Sequence, residues 1–326
     1  MSPLVSVIVE AYNEEHNGLA PVGEAMDALR TQDYPLEKAE LILIGSAEEI
    51  AHWKAHYTEW PPFGEIRMIA VETGDAHYWQ LKNQGAELAG ADIVVFMDCD
   101  GWPAPRWLSS AVHAIQQGAD VSVGPSQYRT TKLHRDSPWM LAAALPSWSF
   151  QLSRTSNPGN LKAASLFGHN LAIRRDLLLQ HPFPCFQRSF ASSLLFFELS
   201  RSGARFSYEP QQRIAHAMTF RWWITRKHFR RGWETYMGRE LDGDWPRIAL
   251  LKRLPLIEPL VLRMGLVCLD ARHWFRFSRL LGTSRVKSVA WFPIAVTASL
   301  CARSAEMVGM YAALLAPKST QHQARF

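Results

Sequence analysis

The chain has 326 residues, 48% hydrophobic and 20% charged, with a formal net charge of +5. That length and apolar content exclude a disordered chain and a small disulfide-stapled scaffold, and they suit one large domain or two smaller ones. The charge is unevenly placed: residues 1–246 hold 23 Lys+Arg against 27 Asp+Glu and residues 247–326 hold 12 against 3, so the two parts carry −4 and +9.

In chain order, the N-terminus has no basic segment followed by an apolar one, which predicts a cytoplasmic start. Val5-Ser-Val-Ile-Val9 is a short β-branched run that reads as a strand and ends at the turn-like Tyr12-Asn13-Glu14. Val22 to Leu29 has helical spacing. Strands are predicted at Leu41 to Ile44, Ile66 to Val71 and Ile93 to Met97, the last after a helix at Leu81 to Leu88. Strands alternating with helices predict a parallel α/β sheet, in which ligands bind beyond the carboxyl ends of the strands. Asp120 to Gly124 and Asn170 to Arg174 read as further strands, and Arg175 to Leu179 and Leu194 to Arg201 as helices. Ala204 to Tyr208 reads as an edge strand, and the α/β domain is expected to end near residue 218.

Four cysteines, at 99, 185, 268 and 301, form no CxxC pair and have no histidine at zinc-finger spacing, which argues against structural zinc and for a reducing compartment, with one chance disulfide left open. Thirteen Trp, some interleaved with cations as in Arg221-Trp222-Trp223, suit a membrane–water interface or a nucleic acid.

The sharpest chemical signal is Val94-Val-Phe-Met-Asp98-Cys-Asp100-Gly, two carboxylates two residues apart after a buried strand. An extended chain points both side chains to one face, where they repel unless a cation sits between them or one takes up a proton. Hard oxygen donors of this kind suit Mg2+ or Mn2+, which bind substrate phosphates. Alone, the tripeptide reads equally well as a turn cap and a solvated loop residue. Its DCDG also resembles the nucleophile loop of haloacid-dehalogenase-type phosphatases, but Trp102 follows it and it comes after the fourth strand rather than near the N-terminus.

Four blocks carry a wider resemblance. VSVIVEAYNEE, LKNQGAELAGADIVVFMDCDGWPAPRWL, FGHNLAIRRDLL and GARFSYEPQQRIAH, in that order within residues 4–235, resemble the opening strand, central block, acceptor-side loop and closing strand of family 2 glycosyltransferases of the GT-A fold. The resemblance implies an α/β fold with a mainly parallel central sheet, followed by a helical C-terminal region. Residues 1–218 are then the catalytic domain, 219–246 a basic aromatic interface segment and 247–326 a helical membrane-associated tail.

It also implies roles. Ala11, Tyr12 and Glu14 hold the base and ribose of a nucleotide-diphospho-sugar donor, and Lys82 stands near the sugar nucleotide. Asp98 contacts ribose or metal, Asp100 is the principal ligand of Mn2+ or Mg2+, and His216 completes the metal site. Gly168, His169 and Asn170 lie on the acceptor and diphosphate side. Arg226 and Arg230, in the basic stretch Arg221 to Trp233, lend cations to the leaving diphosphate.

Two departures from the family pattern stand out. The second strand ends in Gly45-Ser46 where an Asp recognises the base, and Ala191 and Ser192 occupy the place of the Glu-Asp pair whose carboxylate deprotonates the acceptor. Glu198 is the nearest carboxylate that can take over, and it equally suits a helix-surface pair with Arg201 or Arg205. Asp136, Asp75 or a substrate group are the other candidates.

In the tail, Ser288 to Ala302 is an uncharged run of 15 residues followed by Arg303-Ser-Ala-Glu306. That is short of the roughly 20 residues a span needs, and an ion pair in lipid is costly. Helices lying in the cytoplasmic interface, peripheral or monotopic, are expected, with anionic lipid attracting the tail. No nucleic-acid-binding fold is found. Two readings stay open: a metal-dependent, inverting glycosyltransferase acting on a lipid or cell-surface glycan hydroxyl, and a degenerate relative that binds nucleotide sugar or a partner without turnover.

Overall fold

The structure is a computed structural model of the 326-residue chain. It describes residues 4–11, 21–72, 77–129, 137–152, 166–184, 190–216, 226–241, 251–280 and 282–317. The chain divides into two compact units, one of residues 1–127 and 157–217, the other of residues 128–156 and 218–326.

The first unit is built on β-branched runs that are apolar on both faces, as strands covered by helices on both sides must be. Strand β1 (Val5–Glu10) leads to helix α1 (Pro21–Arg30), β2 (Ala39–Ser46), α2 (Ala47–His56), β3 (Glu65–Val71), α3 (Tyr78–Leu88) and β4 (Ile93–Asp98). Then come β5 (Gly101–Pro103), α4 (Trp107–Gln116), β6 (Val121–Val123) and β7 (Ser126–Tyr128). After helix α5 (Pro138–Leu152), described with the second unit, follow β8 (Leu171–Arg174), α6 (Arg175–Gln180), α7 (Ala191–Arg201), β9 (Phe206–Tyr208) and β10 (Ile214–His216).

Seven strands form one sheet in the order β3-β2-β1-β4-β8-β6-β9, and three form another, β5-β10-β7. β1 pairs in parallel with β2 and β4, whereas β8 runs antiparallel to both β4 and β6. The sheet is therefore mainly parallel with one reversed strand near its middle. Because side chains alternate along a strand, Val5, Val7 and Val9 pack with α1, α2 and α4 on one face. Ile8, Val94 and Phe96 pack with α3, α6 and α7 on the other.

The second unit is helical. It contains α5, α8 (His228–Leu241), α9 (Glu258–Leu280), α10 (Arg285–Ala290) and α11 (Phe292–Leu315). Leu141 to Leu145 of α5 are buried against Trp274 and Phe277 of α9 and Ala295 and Ala298 of α11. An apolar helix drawn from the middle of the chain thus packs with α9 and α11 in one helical core. The described end of the basic stretch runs into α8, which packs on α11 in a second, smaller cluster with Trp233 buried beside Ala313. Among the described residues, no helix is long and apolar enough to cross a membrane.

Candidate active site

The site begins with strand register. β1 and β4 pair with Glu10 opposite Asp98, at the carboxyl ends of both strands and on the face covered by α3. Gly85 lets α3 approach closely, since a Cβ there would lie 2.6 Å from Ile8 Cγ2. One turn earlier on the same helix face, Lys82 comes over the two carboxylates. Its Nζ donates to Asp98 Oδ1 at 2.7 Å and to Glu10 Oε1 at 3.1 Å, and Lys82 and Glu10 are completely buried. Burial alone pushes Lys82 down, but the charges of Asp98 and Glu10 outweigh it and hold the ammonium above the ordinary lysine range. Burial likewise pushes Asp98 up, yet Lys82, with His216 and His169, keeps that carboxyl well below the usual carboxylate range. Asp98 is thus a fixed anion with Oδ1 tied to Lys82.

The other oxygen faces two imidazoles. β10 pairs antiparallel with β5 so that His216 stands opposite Gly101, the residue after Asp100. His216 Nε2 lies 3.2 Å from Asp98 Oδ2 and 3.1 Å from Asp100 Oδ1. His169 arrives from the reversed strand: β4 and β8 pair with Phe96 opposite Leu171, and continuing that register two residues sets His169 opposite Asp98. Its Nδ1 is 3.9 Å from Asp98 Oδ2, and its ring centroid is 4.7 Å from that of His216. Asp98, His169 and His216 offer ligand atoms within 4.8 Å of one another. A metal with bonds of about 2.1 Å sets its ligand atoms about 3.0 Å apart at right angles and about 4.2 Å apart across the ion. The 3.2 Å and 3.9 Å separations from Asp98 Oδ2 fall within the range of one divalent ion, and the widest separation closes by a small side-chain shift.

Buried amides hold the loop that carries His169. Asn170 is fully buried, accepts from Trp107 Nε1 at 2.8 Å and donates to the Gln212 carbonyl at 3.0 Å. Gln212 in turn accepts from Ser122 Oγ at 2.6 Å. Asn170 therefore turns inward and ties together the segments on which His169 and His216 are mounted. Gly168 packs tightly, because a Cβ there would stand 3.1 Å from Ser192 Oγ and 3.3 Å from Lys82 Cε. Ala191 and Ser192 consequently sit beside the site, at the start of α7.

Of the residues singled out from sequence, Lys82, Asp98, Asp100, His169 and His216 come together. Ala11 is buried, and its N–H donates to the Ile44 carbonyl at 3.0 Å, extending β1 along β2. Gly45 makes room for it, since a Cβ at Gly45 would meet Ala11 Cβ at 2.6 Å. Ser46 caps α2 in a capping box with Glu49. Glu198 stands more than a turn along α7 from Ser192, is 42% exposed and bonds His181 Nδ1 at 2.9 Å. That histidine pairing was not foreseen, and Arg205 bonds Asp120 instead. Tyr12, Glu14, Asp75 and Asp136 lie outside the described residues, as do residues 217–225. Arg226 and Arg230 belong to the second unit. Glu10 and Ser126 were not anticipated; Ser126 Oγ is 2.9 Å from His169 Nε2.

A mainly parallel sheet that sets two aspartates at the end of a central strand, with a histidine returned by a late antiparallel strand, is the arrangement of a GT-A glycosyltransferase. The chain belongs to glycosyl transferase family 2, whose family model matches residues 6–181. It is 22% identical over 292 residues to the glucosyl-dolichyl phosphate glucuronosyltransferase of Haloferax volcanii, covering 78% of this chain and 83% of that one. It is also 26% identical over 127 residues to the glycosyltransferase AglE of the same organism, a match spanning 39% of this chain and 40% of AglE. Among solved structures, the mannosyltransferase PcManGT from Pyrobaculum calidifontis, in complex with GDP-Man and Mn2+, shares the fold with a TM-score of 0.54 at 20% identity, over 98% of this chain and 88% of that one. TarS from S. aureus, in complex with UDP-GlcNAc, gives 0.50 at 14% identity, over 95% and 91%.

Proposed function

We propose that this glycosyltransferase moves a sugar from a nucleoside-diphosphate donor to an acceptor carried on a lipid, with inversion and with the help of Mn2+ or a similar divalent ion. The observation that carries the reading is the convergence of Asp98, Asp100 and His216, backed by buried Lys82, at the carboxyl end of the central strand. Asp98, Asp100 and His216 would hold a divalent ion there, and the chemistry it would supply is neutralisation of charge on the departing diphosphate. Lys82 acts through Asp98: being fully buried, it fixes the carboxylate instead of touching phosphate. Ala11, with Tyr12 and Glu14, takes the nucleoside, and Gly168 lines the approach of the acceptor. Arg226 and Arg230 are the cations proposed for the leaving group. The named activity of the Haloferax volcanii glucuronosyltransferase supports a lipid-linked acceptor.

Among the described residues, no carboxylate stands where the family's general base is expected, which favours a particular acceptor chemistry. Ala191 and Ser192 place no carboxylate beside Lys82 and Gly168, and Glu198 is further along α7 and bonded to His181. An acceptor that brings an already ionised oxygen, such as a lipid phosphate monoester, needs no base from the protein.

The test is transfer measured with a panel of nucleotide sugars, Mn2+, and polyprenyl phosphate beside a hydroxyl-terminated lipid-linked sugar. Asp100→Ala is expected to lower the rate about 100-fold or more, because several kcal/mol of charge stabilisation are lost at about 1.4 kcal/mol per tenfold. Metal-independent transfer, unchanged by Asp100→Ala, overturns the proposed role of the metal. Faster transfer to the hydroxyl acceptor overturns the phosphate assignment.

A further inference from the structure

We infer that His169 is a second imidazole ligand, and that it makes the site select a transition-metal ion such as Mn2+ over Mg2+. The inference rests on the metal-assisted reading above and adds to it both a residue and a preference. Three observations carry it.

The first is position. Continuing the reversed β4–β8 register past its last pair, Phe96–Leu171, places the turn residue His169 beside Asp98, and His216 reaches the same aspartate from the second sheet. The Asp98, His169 and His216 ligand atoms lie within 4.8 Å of one another. The gap of 3.9 Å between His169 Nδ1 and Asp98 Oδ2 is longer than a hydrogen bond and suits two atoms bound to one ion.

The second is orientation. His169 Nε2 lies 2.9 Å from the hydroxyl of Ser126, which is buried on β7. With Nε2–H donating to that oxygen, Nδ1 presents its lone pair toward Asp98 Oδ2. Metal-bound histidines are held in this way, the second ring nitrogen donating to a neighbouring acceptor that fixes both tautomer and ring angle. Phe167 stacks on the same ring with centroids 5.4 Å apart, so the imidazole is braced on its face as well. The buried Asn170 beside it is tied into the scaffold by Trp107 and Gln212.

The third is donor chemistry. Mg2+ demands near-ideal oxygen octahedra and keeps its waters, whereas imidazole nitrogen favours transition metals. One histidine among carboxylates shifts this balance a little. Two imidazoles with Asp98, joined by Asp100 at 3.1 Å from His216 Nε2, shift it further away from Mg2+.

Tag-free protein is titrated with Mn2+ and with Mg2+, alone and in the presence of GDP or UDP, by calorimetry. Nitrogen coordination is read from the 14N modulation of bound Mn2+ in pulsed electron paramagnetic resonance. The wild type is expected to bind Mn2+ at least 10-fold more tightly than Mg2+ and to show two imidazole nitrogens. His169→Ala is expected to show one, with Mn2+ binding weakened by 10-fold or more and Mg2+ binding changed far less. Ser126→Ala, which leaves every ligand in place, is expected to weaken Mn2+ binding by a smaller factor. Unchanged nitrogen modulation and Mn2+ affinity in His169→Ala overturn the inference while leaving the metal reading intact. Failure of the wild type to bind either ion, with or without nucleotide, overturns both. Circular dichroism of His169→Ala establishes that it folds; if it does not, His169→Asn replaces it, with the same loss of one imidazole nitrogen expected.

Discussion

Lys82 is the residue on which two buried carboxylates depend. Glu10 and Asp98 end adjacent parallel strands on one face, where their charges repel across a low-dielectric gap; a cation fixed between them turns the repulsion into attraction. Removing one partner from a buried ion pair costs about 3–5 kcal/mol, mainly because the charge left behind is uncompensated. Lys82→Met is therefore expected to destabilise the fold by that order in urea denaturation. Lys82→Met with Glu10→Gln is expected to recover part of the loss, since one stranded charge has gone. Equal destabilisation in the single and double variants contradicts this account of Glu10. The aspartate pair was legible in the sequence because both members lie within three residues at the end of an apolar run. Glu10 was not, because its role exists only through the β1–β4 register, and neither was the ligand position of His169. Alternating strands and helices predict a parallel sheet, and only the reversed strand β8 swings His169 onto Asp98.

At the scale of elements, α8 and α11 meet through two glycines, and this contact sets how closely they approach. A Cβ at Gly232 would lie 1.8 Å from the Glu306 carbonyl oxygen, and one at Gly309 would lie 2.0 Å from that of Phe229. Both obstacles are backbone and cannot swing aside. Gly232→Ala or Gly309→Ala is expected to cost 1–3 kcal/mol or more, about the range for overpacked cores. Gly265→Ala, on α9 with nothing within 4 Å of its Cβ, is expected instead to stabilise by up to about 1 kcal/mol through helix propensity. Thermal unfolding of the three variants distinguishes these signs; a Gly309→Ala protein as stable as wild type refutes the close contact.

The same helices show what sequence pattern conveyed and what it missed. The apolar runs at Val5, Leu41, Ile66 and Ile93 announced the strands β1 to β4; β1, β2 and β4 are buried and need apolar residues on both faces, while the edge strand β3 is only partly buried. The three-residue strands β5, β7 and β10 left no such signal: their pairing is long-range, and Gly101 or His216 alone suggests nothing. Arg303 and Glu306 were read as an ion pair too costly for a membrane span. Both are buried in a network that spacing did not reveal, in which Arg303 bonds Asp270 and Glu306, and Arg263 and His228 bond Glu306 as well. Tertiary packing, which spacing along the chain does not encode, decides where such charges go.

For the whole molecule, the charge partition takes on a spatial meaning within the second unit. The three carboxylates that follow Pro246, Glu258, Asp270 and Glu306, are all buried. Arg272, Arg276, Arg279, Arg285 and Lys287 are all exposed. The described surface of residues 251–317 therefore carries cations and no anion. Large apolar side chains share it, among them Val286 at 79% and Val289 at 64% exposure on α10, on either side of Lys287. Carboxylates turned inward, with cations and large apolar side chains turned outward, match a lipid surface rich in anionic headgroups. Each basic residue near such a surface contributes about 1 kcal/mol and each buried valine roughly 1.5–3 kcal/mol. Salt at 1 M cuts the screening length to about 3 Å and removes most of the electrostatic part while leaving the apolar part. The protein is expected to sediment with phosphatidylcholine–phosphatidylglycerol vesicles far better than with phosphatidylcholine alone, and a fraction is expected to survive the salt wash. Val286→Asp with Val289→Asp, both at exposed positions that leave the helical core untouched, is expected to lower that salt-resistant partitioning by about 100-fold or more, the lower end of the summed valine contribution. Equal sedimentation of the wild type with charged and uncharged vesicles, or a double variant that holds as firmly as wild type in high salt, removes the membrane surface from the proposed function and leaves the acceptor to be sought in solution.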